Sequence, residues 1–180
     1  MSDEDVIAAT RQWIEKAVIG LNLCPFAKAV YVKNQVHYVV SRAPHLDGLL
    51  EDLDRELDFL AAADPNETDT TLLIHPALLP DFLDFNDFMQ LADAAIEEHE
   101  LEGVIQIASF HPQFQFAGTT PDDIGNYTNR APFPTLHLLR EASIERAVAA
   151  FPEAETIYER NIETLKALGH AGWQVLWRNP

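Results

Sequence analysis

Strand-like and helix-like segments alternate along residues 36–110, and this alternation limits the folds that the chain can adopt. Short β-branched or apolar runs at residues 36–41, 70–75 and 103–110 predict three strands, and the apolar repeats between them predict two amphipathic helices. Strands joined through a helix pair in parallel by right-handed crossovers. We therefore predict an α/β fold in one domain, residues 1–180, with a small, mostly parallel sheet of three to five strands and helices on both faces.

The flanking segments leave an alternative open. Helical spacing and caps predict further helices at residues 3–20, 24–29, 143–150 and 152–168. Segment 135–140 fits either a fourth strand or a helical turn. If Tyr31-Val32 and the WQVLW segment at 173–177 are strands that pair antiparallel, the sheet is mixed and the fold is α+β.

The net charge of −17 narrows the class of partner. A negative field repels phosphate backbones and anionic lipid surfaces, and no run of basic residues counters it, so neither nucleic acid nor a membrane is the expected partner. No stretch approaches about 18 consecutive apolar residues. The N-terminus, MSDEDVIAA, is acidic where a signal peptide is basic, which predicts a cytoplasmic protein.

The segment from Phe110 to Glu141 holds almost no aliphatic residue for most of its length: FHPQFQFAGTTPDDIGNYTNRAPFPTLHLLRE. Connections this long are uncommon in compact domains and are usually functional or disordered. Its aromatic, asparagine and arginine side chains are atypical of disordered chain. We predict an ordered loop that forms a site.

Polar side chains stand where the predicted strands end. The strand ends carry Arg42, His75, His111 and Arg140, and the long loop carries Asn126, Asn129 and Arg130. Ligands of open α/β sheets bind at the carboxyl ends of parallel strands. We therefore expect these side chains to converge at one edge of the sheet.

This set of side chains favours an anionic small molecule as the ligand. A guanidinium group offers a rigid fork of donors to a carboxylate or a phosphate, and imidazole transfers protons near neutral pH. We predict that the arginines bind the anion and that His111 acts as the catalytic acid or base. The structural alternative is that the arginines pair with local acids such as Asp122 or Glu141, and that each His-Pro pair forms a satisfied turn.

Cys24 is the single cysteine, so no internal disulfide can form. It precedes Pro25 at a predicted helix start, where backbone N–H groups and the helix dipole lower a thiol pKa, and it is a second catalytic candidate. The alternative is a buried structural thiol, because Leu21, Leu23 and Phe26 surround it in sequence. The absence of a short-spaced Cys/His cluster predicts no structural zinc site.

Three segments, AVIGLNLCPFAKAV, ASFHPQFQFAG and NYTNRAPFPTLHLLRE, together resemble the signatures of an uncharacterised bacterial family, domain of unknown function 1415. The resemblance covers most of the chain, from Ala9 to Trp177. It implies a bacterial cytosolic protein and transfers no activity. It adds His137, which lies inside the third segment, to the candidate ligand-binding residues.

Three functional hypotheses follow. The leading one is a small enzyme that acts on an anionic small molecule through the Arg/His/Asn set. The second is a non-enzymatic module that binds an anionic metabolite or a partner in the same pocket. The third is a metal- or haem-binding protein that uses His75, His111 and Cys24. The cofactor and the oligomeric state stay open.

Overall fold

The computed structural model describes residues 1–178, which contain one open four-stranded sheet flanked by helices. The strands are β1 (Val36–Val40), β2 (Thr70–Ile74), β3 (Ile105–Phe110) and β4 (Thr135–Arg140). The α-helices are α1 (Asp3–Trp13), α2 (Ala27–Val32), α3 (Leu46–Ala62), α4 (Phe82–Glu98), α5 (Glu141–Ala150) and α6 (Ile157–Leu176). A π-helical segment, Ile14–Ile19, continues α1, and 3-10 helices lie at Ile124–Asn129 and Ala154–Thr156. The predicted α/β class is confirmed.

The sheet is mixed, with strand order β1-β2-β4-β3. Only β1 and β2 pair in parallel, while β4 pairs antiparallel with both β2 and β3, so the prediction of a mostly parallel sheet is wrong. The physical reason lies in the connection after β3. Residues 111–134 contain no crossover helix, and a strand that returns through a loop can lie antiparallel beside its predecessor.

Two predicted strands are helical. Tyr31-Val32 belongs to α2, and the 173–177 segment belongs to the end of α6, beyond a break at Gly169, whose φ of 68° is left-handed. Trp173 and Trp177 lie four residues apart, so both rings occupy one helix face, with centroids 5.4 Å apart. Aromatic and β-branched composition suggested a strand where the spacing of the two tryptophans indicates a helix.

Helices cover both faces of the sheet. On one face α3 and α4 bury Leu53, Leu57 and Phe88 against Leu73 and Leu138. On the other face α1, the π-helical segment and α6 bury a second apolar cluster against β1 and β2. Among residues 1–178 no helix combines the length and the apolar character that crossing a bilayer requires.

The two strands that pair in parallel differ in burial. All five residues of β2 are buried, as expected for a central strand covered on both faces. All five residues of β1 are only partly buried, because β1 is an outer strand of the sheet. β3, the other outer strand, is likewise mostly accessible: of its six residues only Ile105 is buried.

Candidate functional site

His75 and His111 stand at one end of the sheet, and Arg140 stands at the other. His75 and His111 follow the carboxyl ends of β2 and β3. These strand ends point the same way because both strands run antiparallel to β4. Arg140 is the last residue of β4 and lies at the opposite end of the strands. There its guanidinium donates to the carbonyl oxygens of Ala63 (2.9 Å) and Thr68 (3.0 Å). The expected convergence of all the strand ends fails because β4 runs in the other direction.

The His75 ring is buried and both its nitrogens are bonded. The backbone N–H groups of Ala77 and Leu78 donate to Nδ1 over 3.2 and 2.7 Å, so the proton lies on Nε2, which donates to the Ala43 carbonyl over 3.0 Å. Burial lowers the pKa of His75 below its ordinary value. The ring is a neutral connector of two loops.

His111 repeats this arrangement after β3. The Gln113 N–H donates to Nδ1 over 2.9 Å, and Nε2 donates to the Leu79 carbonyl over 2.9 Å. The residue is fully buried between Phe82 and Phe85, and burial lowers its pKa. The acid/base role predicted for His111 gains no support from this geometry, because neither ring nitrogen is free to meet a substrate.

The strand-end loop, residues 111–134, uses its polar side chains to hold its own backbone. Asn126 is fully buried; its Oδ1 accepts from the Phe116 N–H (2.9 Å) and from the Thr119 hydroxyl (3.0 Å), and its Nδ2 donates to the Thr120 carbonyl (2.9 Å). Asn129 Nδ2 donates to the Ser109 carbonyl over 3.2 Å. These amides are therefore occupied within the chain.

Arg130 completes the strand-end loop. Its Nε donates to the Phe114 carbonyl (3.2 Å), one Nη donates to the Pro121 carbonyl (2.7 Å), and its guanidinium lies 4.3 Å from the centre of the Tyr127 ring. Within residues 111–134 the buried side-chain atom that lacks a partner is the Thr128 hydroxyl. This geometry favours a structural role for Arg130. Its partners are carbonyl oxygens of the loop and not the acidic side chains that we expected.

Arg42 and His137 each have a partner within the chain. Arg42 is exposed and pairs with Asp3 over 2.7 Å. His137 lies within β4, its Nε2 is 2.7 Å from the Thr70 hydroxyl, and burial lowers its pKa to about 4. Arg42 lies near enough to His75 for its charge to add to the effect of burial in lowering the pKa of that ring.

Cys24 has the properties of a buried structural thiol, the alternative to a catalytic one. Burial raises the pKa of its thiol, although the N–H groups of Phe26 and Ala27 pull it the other way. The effect of burial on the Cys24 pKa outweighs the lowering that we predicted from a helix N-terminus. Helix α2 itself begins only at Ala27. Across residues 1–178 no three His, Cys, Asp or Glu side chains come close enough to hold a metal ion together. A metal ion held jointly by His75, His111 and Cys24 therefore gains no support.

An open pocket of about 210 Å³ lies instead beside β1. We call it the Arg11 pocket; it is lined by Arg11, Tyr31, Val32, Asn34, Val36 and Tyr38. Helix α1 supplies Arg11, the end of α2 and its following turn supply the next three residues, and alternate positions of β1 supply Val36 and Tyr38. None of these residues was among the predicted site residues.

Arg11 is an unpaired cation in this pocket. It forms no ion pair with any acid of residues 1–178, and its guanidinium lies 4.8 Å from the centre of the Tyr38 ring. The Tyr38 hydroxyl is buried and has no hydrogen-bond partner in this part of the chain, and burial raises its pKa to about 12. Arg11 and Tyr38 thus line the same pocket, with the Tyr38 hydroxyl enclosed by the fold.

The charge distribution along the sequence points to the same region. Residues 6–42 hold five basic residues against the single acid Glu15, a net charge of +4, whereas residues 43–180 hold seven basic and 25 acidic residues. The overall charge of −17 hid this segment, because no two of its basic residues are adjacent. Net charge counted in windows would have drawn attention to Arg11.

A comparison with protein families finds one match over nearly the whole chain. The model of the family described as protein of unknown function (DUF1415) matches residues 5–175. No curated protein and no solved structure matches the sequence. The three signature segments thus fall inside the matched range, and the site has to be judged on its own geometry.

Proposed function

The chain belongs to the DUF1415 family of proteins of unknown function, and we propose that it is a binding module for an anionic ligand held in the Arg11 pocket. The observation that carries the proposal is the unpaired guanidinium of Arg11, which lines an open pocket in a segment of net charge +4 within a strongly acidic chain. This keeps the predicted ligand class and moves the site from the strand ends to β1.

The pocket offers the chemistry that an anion needs. A guanidinium group binds carboxylates and phosphates through charge-assisted hydrogen bonds, which are roughly twice as strong as neutral ones. The Tyr38 ring, 4.8 Å from the guanidinium, helps to hold Arg11 in the pocket. Val32 and Val36 add apolar walls, and Val32 is 67% exposed, so a ligand with a short carbon skeleton would cover it.

Binding without catalysis fits the lining best. No histidine, cysteine or carboxylate is among the six lining residues, so the pocket lacks a pair for general acid/base work near neutral pH. The neighbouring Tyr31 hydroxyl donates to Glu15, and this hydrogen bond raises the pKa of Tyr31. An enzymatic activity, a cytosolic location and a bacterial origin stay predictions.

The proposal is tested by titrating phosphate, citrate and glutamate into the wild-type protein, Arg11→Gln and Arg146→Gln, with melting temperature and calorimetry as readouts. Arg146 lies on α5, bonds only to Ser143 in the described chain, and controls for the loss of one positive charge. We expect at least one anion to raise the melting temperature of the wild type by mass action. Its Kd should weaken at least about tenfold in Arg11→Gln and stay unchanged in Arg146→Gln. Equal affinity in all three proteins, or no binding to any, would contradict the proposal.

A further inference from the structure

The outer edge of β1 is open. The Thr70 N–H donates to the Gln35 carbonyl (3.3 Å) and the Ser41 N–H donates to the Ile74 carbonyl (2.8 Å), so the odd-numbered residues of β1 bond to β2. The N–H and C=O groups of residues 36, 38 and 40 therefore face away from the sheet. Within residues 1–178 these groups make no hydrogen bond.

The opposite edge of the sheet, at β3, is covered at its two ends. The Ile105 N–H donates to the Leu101 carbonyl over 3.0 Å, and Asn129 of the strand-end loop bonds to both Ser109 and His111 along the outer side of the strand. Exposed strand edges are templates for pairing with another chain, and proteins usually block them. The β3 edge is thus blocked at both ends and keeps unbonded outward main-chain groups only around Ile107, whereas the described chain leaves the β1 edge unbonded at residues 36, 38 and 40.

We propose that the outer edge of β1 binds an acidic, extended peptide segment of another protein as an added fifth strand, an inference that rests on the proposed function. Main-chain hydrogen bonds to residues 36, 38 and 40 supply affinity in this mode, and alternate side chains of the added strand supply specificity. The anion held in the Arg11 pocket is then a glutamate or aspartate side chain of that peptide.

The two sides of the edge demand different side chains from the added strand. On the pocket side it meets Arg11 beside Val36 and Tyr38, which favours acidic residues. On the other side it meets His37 and Phe59, whose rings lie 4.6 Å apart, with Phe59 42% exposed. That side also borders the acidic helix α3, which favours apolar residues and disfavours acids.

A second copy of this chain is not the favoured occupant. Pairing two β1 edges would bring two copies of the +4 segment, residues 6–42, against each other. Like charges across an interface oppose association, while an acidic partner is attracted. The charge of the edge therefore selects a different protein with an acidic, alternating segment.

The test uses a fluorescein-labelled seven-residue peptide of alternating glutamate and valine, with blocked ends, and its lysine–valine counterpart. Fluorescence anisotropy is measured with the wild-type protein, Arg11→Gln and Arg146→Gln. We expect the glutamate peptide to bind the wild type and Arg146→Gln alike and Arg11→Gln at least about tenfold more weakly, and the lysine peptide not to bind. Binding of both peptides, or of neither, overturns the inference.

Backbone methylation then separates strand addition from side-chain binding. Two isomers of the glutamate peptide are N-methylated either on the glutamates or on the valines, which leaves all charges unchanged. Only one set of N–H groups faces β1 in an added strand, so one isomer should lose binding and the other should keep it. Equal binding of the two isomers overturns strand addition. If citrate, phosphate or glutamate still binds in an Arg11-dependent way, the proposed function survives that result.

Discussion

The strand-end loop and the Arg11 pocket are both rich in polar groups, but they differ in whether those groups are free. In the loop the side chains of His111, Asn126 and Arg130 all bond to backbone groups of the chain. In the pocket Arg11 has no acidic partner and the Tyr38 hydroxyl has no hydrogen bond within residues 1–178. The Arg130 guanidinium is occupied by carbonyl oxygens of its own loop, whereas the exposed Arg11 guanidinium is free to bind an anion.

The comparison also explains the composition of the strand-end loop. A 24-residue connection without a regular crossover helix carries many backbone N–H and C=O groups that secondary structure does not satisfy. Amide and guanidinium side chains satisfy them from inside the loop. The distinctive residues of this segment therefore stabilise the conformation of the loop itself.

The largest expected effect is that of Asn126→Ala. The substitution removes one acceptor of two hydrogen bonds and one donor in a fully buried position, and the orphaned groups cost about 3 kcal/mol in the free energy of unfolding. Urea denaturation measures the change. Asn86→Ala, at an exposed position of α4, is the matched control and should change stability by no more than about 0.5 kcal/mol. Similar small effects in both variants would show that the loop does not depend on Asn126.

The second prediction concerns pH. His137 has a folded-state pKa of about 4 against an ordinary value of 6.5, so the unfolded chain binds the proton first as the pH falls. Stability is therefore lost between about pH 6.5 and pH 4, by about 3 kcal/mol for this residue. His75 and His111, whose pKa values are also lowered by burial, act in the same direction.

The measurement is urea denaturation at several pH values for the wild type and His137→Gln. The variant should lose markedly less stability over this window than the wild type, because glutamine does not titrate. His45→Gln, at an exposed position, is the control and should follow the wild-type curve. Parallel curves for His137→Gln and the wild type would mean that His137 is not buried in its neutral form.

A third prediction compares two arginines directly. Arg130→Gln removes charge-assisted hydrogen bonds to two carbonyl oxygens and should destabilise the protein by about 2 kcal/mol. Arg11→Gln removes only a partly exposed contact with an aromatic ring and should cost less than about 1 kcal/mol. Chemical denaturation of both variants measures this difference. The reverse order would assign the structural role to Arg11 and would remove the basis of the comparison.

The smallest effect is expected at Arg42. Its ion pair with Asp3 is about half exposed on both sides, and such pairs contribute at most about 0.5 to 1 kcal/mol. Arg42→Gln should therefore change the unfolding free energy by about 0.5 kcal/mol or less and leave anion affinity unchanged. A large loss of anion affinity in this variant would return Arg42 to the site, as the sequence first predicted.

Local sequence patterns predicted most helices and strands. They did not predict the direction of β4 or the position of the site, which depend on tertiary contacts. The first of the two helices expected between the strands forms at Leu46–Ala62, and the strand expected at 70–75 ends at Ile74, because both signals are local. The direction of β4 depends on how residues 111–134 return to the sheet, which no local pattern encodes. The site was misplaced for a related reason: the sequence shows where arginines stand but not whether they already have partners.

The central claim is tested most directly by following backbone amide signals by NMR while citrate is added to the protein. We predict that the largest shifts occur at Arg11 and within residues 31–40, and that they disappear in Arg11→Gln, while signals of the strand-end loop stay in place. Shifts that concentrate in residues 111–134 and persist in Arg11→Gln would contradict the account and would restore the strand ends as the site.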